Sequence, residues 1–184
     1  MTERNGKEFG LISRLNHWGV AAIFIGMLCF GFYLEFGDLA REVKGPLWGV
    51  HKSIGTLFLI FAVWRVGWRI FQGFPKEVAV MPLWQRFTAK ITHWLLLLAV
   101  LLMPLSGVLM NIYGGRSIHV FDWFVIPSQG KNEMVAGIAH TVHEVAPYAI
   151  SAIILLHIAA ALKHHFIDKD VTFKRMVVRN NAGR

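Results

Sequence analysis

Four long apolar stretches separated by polar, turn-rich segments set the pattern of the chain, at about residues 15–34, 50–71, 91–112 and 141–166. Each is close to the ~20 residues of helix that cross ~30 Å of hydrocarbon. Lipid offers no partner to an open backbone, so all four are expected to be transmembrane α-helices. The connections 35–49 (Gly37, Asp38, Gly45, Pro46), 72–90 (Gly73, Pro75, Pro82) and 113–140 (Gly114, Gly115, Pro127, Gly130) carry the breakers of loops. Within the last, Ile118 to Ile126 (IHVFDWFVI) is apolar but too short to span, and is expected to lie along the membrane interface. Pro104 and Pro147 fall inside spans and are expected to kink them. The fold expected is all-α, an integral membrane four-helix bundle in one domain covering 1–184.

Composition agrees with a lipid-embedded chain. Of 184 residues, 55% are hydrophobic and 16% charged, with a mean hydropathy of +0.48, too apolar for a water-soluble domain of this length. The single cysteine, Cys29, lies in the first apolar run; it excludes a disulfide framework and is expected to serve packing. A net charge of +8 raises nucleic acid as a partner, but the cations are spread between apolar runs without the clustering that nucleic-acid binding needs. The first apolar run follows Arg4, Lys7 and Arg14 as in a signal peptide, yet it is too long and lacks an A-x-A-like site, so it is expected to remain as the first span.

The cations instead orient the bundle. With the N-terminus inside, fourteen Lys and Arg residues (Arg4, Lys7, Arg14, Arg65, Arg69, Lys76, Arg86, Lys90, Lys163, Lys169, Lys174, Arg175, Arg179, Arg184) fall on the cytoplasmic side and five (Arg41, Lys44, Lys52, Arg116, Lys131) on the other. The positive-inside bias then predicts both termini in the cytoplasm. The seven tryptophans fall near span ends, as interfacial belts require.

Nine histidines are many for so apolar a chain, and an intramembrane imidazole needs a partner. His143 and His157 are 14 positions apart on the fourth span, about 21 Å of rise and within about 40° of one face. His17 opens the first span on the cytoplasmic side, and His51 opens the second on the opposite side. Depth therefore pairs His17 with His157 and His51 with His143. Two neutral imidazoles facing across a gap fill both axial positions of a haem iron, which suits electron transfer. The haem would be b-type, since no C-x-x-C-H motif is present. Zinc wants three or four ligands converging at one depth. Gly55 after His51, and Gly19 with Ala21 and Ala22 after His17, leave room for a flat macrocycle. Lys52 and Arg14 flank ligands and are candidate propionate partners. His140, three positions before His143, is a rival ligand nearer water, and His119 is expected at the surface.

At these residues the chain resembles the bacterial cytochrome b561 family, four-helix membrane proteins with two b haems. The matching segments are SRLNHW around His17, VHKSIGTL around His51, VHE-x₁₂-LH joining His143 to His157, and ALKHHFIDKD, over about residues 8–176. The resemblance implies the same four histidines as ligands and a bacterial inner membrane as location. The endings ALKHHFIDKDVTFKRM and SIHVFDWFVIPS are most similar to a subgroup whose genes often neighbour a small secreted isoprenoid-binding β-barrel protein, which makes such a protein an expected periplasmic partner. The best-described relatives pass electrons from superoxide to ubiquinone, which implies a quinone role for the first histidine of the HH pair, His164. An interfacial histidine can supply the proton a quinone headgroup needs. His93, on the membrane side of His17, is a second candidate for the quinone or a propionate. The outer cations are balanced by Glu35, Asp38, Glu42, Asp122, Glu133 and Glu144, so charge alone does not single out superoxide.

The function expected is thus single-electron transfer between an outer donor and membrane quinone. The alternatives are a haem-bearing relay subunit for a partner redox enzyme and, from another class, a metal carrier using intramembrane histidines; a colourless purified protein would mark the latter.

Overall fold

The computed structural model describes residues 10–73 and 81–177. Its elements are α1 (Leu11–Phe36), α2 (Arg41–Gln72), α3 (Leu83–Ile112), the strands β1 (Ile118–Val120) and β2 (Phe124–Ile126), α4 (Glu133–Phe166) and a last turn, α5 (Lys174–Val177). The four long helices are all long and apolar enough to cross a membrane, and they form the expected all-α bundle. Arg4, Lys7, Lys76, Arg179 and Arg184, which entered the charge count, lie outside the described residues, as does Pro75.

Each helix is longer than its apolar stretch. α2 takes in Gly45 and Pro46, which read as loop in the sequence. So early in a helix, Pro46 forfeits a single backbone bond, to the carbonyl of Glu42. α3 begins at Leu83 behind Pro82 and absorbs the WQRFTAK segment, whose Trp84 and Phe87 are exposed, as suits an interfacial first turn. α4 starts on an Asn132 cap, its side-chain oxygen accepting from the N–H of Val135 at 3.1 Å. It carries Glu133 in its first turn and Lys163, His164 and His165 in its last, charges that complement the helix dipole. α2 ends on Gly73 at φ +68°, a conformation that suits glycine, and Arg69 Nη1 donates to the Gly73 carbonyl at 2.8 Å.

Ile118 to Ile126, too short to span, has a defined local structure. It forms an antiparallel hairpin with Ile118 opposite Ile126, and Ile118 and Val120 are fully buried. Alternation sends these two inward and leaves His119 exposed. The hairpin is pinned to α2 by Ser53, whose Oγ accepts from the Phe121 N–H at 2.9 Å and lies 3.1 Å from the His119 carbonyl oxygen and 2.9 Å from that of Gly49. Cys29, expected in the packing, is exposed on α1.

The core is a plug of apolar side chains: Val20, Phe24 and Leu28 from α1, Phe58 and Ala62 from α2, Ala99, Val100 and Met103 from α3, Ile150 from α4. Phe24 and Phe58 stack at 6.0 Å. α1 packs along α2, α2 along α3, and α3 along α4, whereas α4 has no comparably close backbone approach to α1 or α2. A seam therefore runs down the bundle between α4 and the α1–α2 pair.

Candidate haem sites in the bundle

Four turns of helix are about 14 residues, and that interval recurs on all four spans. His17 and Gly31 on α1, His51 and Arg65 on α2, His93 and Gly107 on α3, and His143 and His157 on α4 are each 14 positions apart. They form two layers separated by about 21 Å of helix rise, with the apolar plug between. The hairpin layer holds Gly31, His51, Gly107 and His143. The tail layer, near α5, holds His17, Arg65, His93 and His157.

Both histidine pairs foreseen from depth come together across the seam. The rings of His51 and His143 are centred 6.4 Å apart with planes at 84°, and those of His17 and His157 6.4 Å apart at 67°. A metal–imidazole bond of about 2 Å on each side, plus roughly 1 Å from each nitrogen to its ring centre, calls for about 6 Å when two imidazoles share one iron. The spacing fits a bis-histidine haem in both layers.

The surroundings of the hairpin layer fit a metal too. His143 Nδ1 lies 3.0 Å from the carbonyl oxygen of Met103 and 3.0 Å from Ser106 Oγ, and Ser106 Oγ donates back to Met103 at 2.9 Å. With its Nδ1–H donated to the backbone, the ring presents a bare Nε2, the tautomer a ligand needs. Gly107 makes room: a Cβ there would stand 3.0 Å from His143 Cε1, and one on Gly31 3.4 Å from His51 Cε1. A Cβ on Gly19 would meet nothing within 4 Å, and one on Gly55 only the end of Met27. His51 Nδ1 is buried with no hydrogen-bond partner among the described residues.

The tail layer is more crowded. His93, expected at the start of a helix, is ten residues into α3, and its ring centre is 5.5 Å from that of His157, so His157 has two imidazole neighbours. Arg65 Nη1 donates to Asn16 Oδ1 at 3.0 Å, and its Nη2 lies 3.4 Å from His17 Nδ1. Arg14 is half-buried, with an Nε that has no hydrogen-bond partner among the described residues. Lys52 follows His51 in the hairpin layer and is also half-buried. The rival ligand His140 is exposed and faces Glu144 at 3.5 Å.

At the end of α4 the chain folds back on His164. Its Nδ1 lies 2.6 Å from Asp170 Oδ2 and 3.3 Å from Asp168 Oδ2, while Lys163 Nζ holds Asp168 at 2.6 Å. Burial alone would push the Asp170 carboxyl up; hydrogen bonds from Thr172 and His164 outweigh it and hold it below the ordinary value. His165 turns away, its ring against Phe166 and Phe173 at 4.6 and 5.1 Å. Ser106, Gly107 and Asp170 carry no role in the sequence reading, and Arg65 entered it only as a cation of the cytoplasmic side. The 14-residue step from His51 was a signal for Arg65, and the step from His93 for Gly107; Ser106 and Asp170 had none.

Comparison with known proteins agrees with this arrangement. The prokaryotic cytochrome b561 family profile matches residues 8–178. Cytochrome b561 homolog 2 of Escherichia coli (strain K12) is 33% identical over 180 residues, 96% of this chain and 94% of that protein. Cytochrome b561 homolog 1 of the same organism is 32% identical over 57% of this chain and 60% of its own length. A probable superoxide oxidase, CybB, of Yersinia pestis is 25% identical over 96% of this chain and 99% of that one. With a family match over most of the chain laid over four spans and two facing histidine pairs, the chain belongs to the prokaryotic cytochrome b561 family, multi-pass bacterial membrane proteins that bind haem b and transfer electrons.

Proposed function

We propose that the chain holds two b haems, one per layer, and passes single electrons from a donor at the hairpin face to a quinone at the tail face. His51 with His143, and His17 with His157, are the axial ligands. The observation that carries this reading is the recurrence of one ring separation, 6.4 Å, at two depths of one loosely packed seam. A haem held between such a pair would supply a one-electron iron couple. The chain's own part is to hold the rings, exclude water and manage protons. Met103 and Ser106 lock His143, and the plug around Phe24 and Phe58 keeps the space between layers apolar.

Reduction of a quinone takes two electrons and two protons, so two one-electron donations are needed per quinol. His164 would deliver a proton through Nε2 while Asp170 holds its Nδ1. Lys52 and Arg14 are propionate partners, and His93 borders the quinone or the haem in the tail layer. The positive-inside count puts the tail face and both termini in the cytoplasm and the hairpin in the periplasm of an inner membrane. Superoxide is the donor that the relative from Yersinia pestis suggests: two superoxide ions would give two O₂, and their electrons with two protons would convert quinone to quinol. The isoprenoid-binding partner would meet the hairpin face.

Haem quantitation and a reduced-minus-oxidised spectrum on the purified protein, followed by quinone reduction with superoxide, test the reading. Two haems per chain and superoxide-dependent quinol formation are expected. One haem per chain overturns the two-layer assignment. Two haems that accept electrons but never pass them to quinone leave the relay function for a partner enzyme in its place.

A further inference from the structure

Cations gather in the tail layer: Arg69 is buried, and Arg65 and Arg175 are half-buried. The charged and titratable neighbours that bear on His17 are Arg65, His157, Arg69 and His93, and those on His93 are His157, Arg69, Arg175 and Arg65. Among the described residues, none of these neighbours is a carboxylate. The charge nearest in effect to Arg65 is another cation, Arg69, and its hydrogen-bond partners, Asn16 and His17, are neutral groups. Arg69 is 4% exposed. A guanidinium inside a membrane protein is costly, and such residues pair with an anion or mark a function.

A second observation concerns the proton on His17. Guanidinium nitrogens only donate, so the approach of Arg65 Nη2 to His17 Nδ1 uses that nitrogen's lone pair and leaves the ring hydrogen on Nε2. Ligation of iron through Nε2 needs the opposite tautomer, with the hydrogen on Nδ1. Arg65 and a ligated His17 therefore cannot keep this contact. The arginine needs another acceptor at the same depth, and the haem brings its own carboxylates.

We infer that Arg65 is the haem-propionate clamp of the tail layer: its guanidinium leaves His17 and pairs with a propionate when the haem enters. The inference rests on the two-haem reading. It separates Arg65 from the interfacial cations among which charge counting placed it, and sets it beside Arg14 as a counter-charge to the cofactor. A fork of N–H donors matches a carboxylate in a way a lysine cannot.

Redox titration and haem retention of the full-length protein with Arg65→Gln and Arg65→Lys test this. In R65Q the tail-layer haem should be held roughly ten- to a hundredfold less tightly, as loss of a charged hydrogen bond implies, and its midpoint should move to lower potential, because the lost cation disfavoured the oxidised iron. The hairpin-layer haem should be retained with its midpoint unchanged, which shows that the variant folds. R65K should keep the midpoint near that of the parent while still loosening the haem. Lys90→Gln, an exposed cation outside both layers, should change neither quantity. Two retained haems with unshifted midpoints in R65Q overturn the clamp and leave the two-haem reading standing. A parent protein without a second haem overturns both.

Discussion

His143 Nδ1 and the carbonyl oxygen of Met103 stand 3.0 Å apart across the α3–α4 interface, with Ser106 Oγ bridging them. A contact between one ring nitrogen and a neighbouring helix backbone sets the rotation of the imidazole and the identity of its bare nitrogen. His143→Ala should therefore remove one haem of two, while His140→Ala, with its ring at an exposed edge, should keep both. Haem content per chain checks this, and loss of haem in H140A would reverse the assignment.

Gly107 is predicted to be a steric requirement of the same ligand. A Cβ at this position would come within 3.0 Å of His143 Cε1, closer than a ring held by a backbone hydrogen bond can yield. Gly107→Val should displace the ring and empty the hairpin layer, and Gly107→Ala should lower its occupancy. Gly45→Ala, whose Cβ meets nothing within 4 Å, should leave the spectrum intact. Optical spectra of the three proteins decide the matter; full haem in G107V would remove the steric argument.

In the tail layer, His157 has His17 at 6.4 Å and His93 at 5.5 Å. With His17 as ligand, His17→Ala should cost the second haem outright. His93→Ala should keep it, with a changed midpoint or a raised KM for quinone. If H93A loses the haem and H17A holds it, the ligand belongs to α3.

Asp170 gives the proposed quinone chemistry a pH signature. Its folded carboxyl sits below the ordinary value, with burial opposed by bonds from Thr172 and His164. A depressed acid stabilises the fold fully above its unfolded value and loses that contribution as pH falls through the folded one. Neutral pH thus has the whole contribution. Asp170→Asn should lower quinone reduction by roughly tenfold through a misplaced proton donor and should remove the acid-side loss of stability expected of the parent. It should add little to His164→Ala, because the two act as one unit. Equal rates for D170N and the parent would detach the carboxylate from turnover.

Ser53 should behave as a structural pin. It is 2% exposed and joins α2 to β1 at His119 and to the turn at Phe121. Ser53→Ala should cost about 1–2 kcal/mol by orphaning a buried N–H. Proteolysis within 118–126 at fixed temperature reads this out, and unchanged cleavage would mean the hairpin is held by Ile118 and Val120 alone.

How much of this was legible beforehand follows from the range of each interaction. Span number, helical state and the depth of His17, His51, His143 and His157 are set by local hydropathy and helix rise, which act along one chain segment. Those could be read directly, as could the pairing of depths. The early start of α2 through Pro46 was hidden because a proline near a helix start looks the same in sequence as one in a loop. The strand character of Ile118–Val120 was hidden because three residues are too short to display a period.

The sequence by itself determined that this chain lives in lipid and that its histidines fall at two depths, since both depend on quantities summed along a helix. Tertiary structure alone decided which carbonyl fixes the His143 tautomer, that His93 also reaches His157, and that Arg65 stands among cations. Those outcomes depend on how separate helices are rotated against one another. Rotation is settled by side-chain packing between distant segments, which no single stretch of the chain contains.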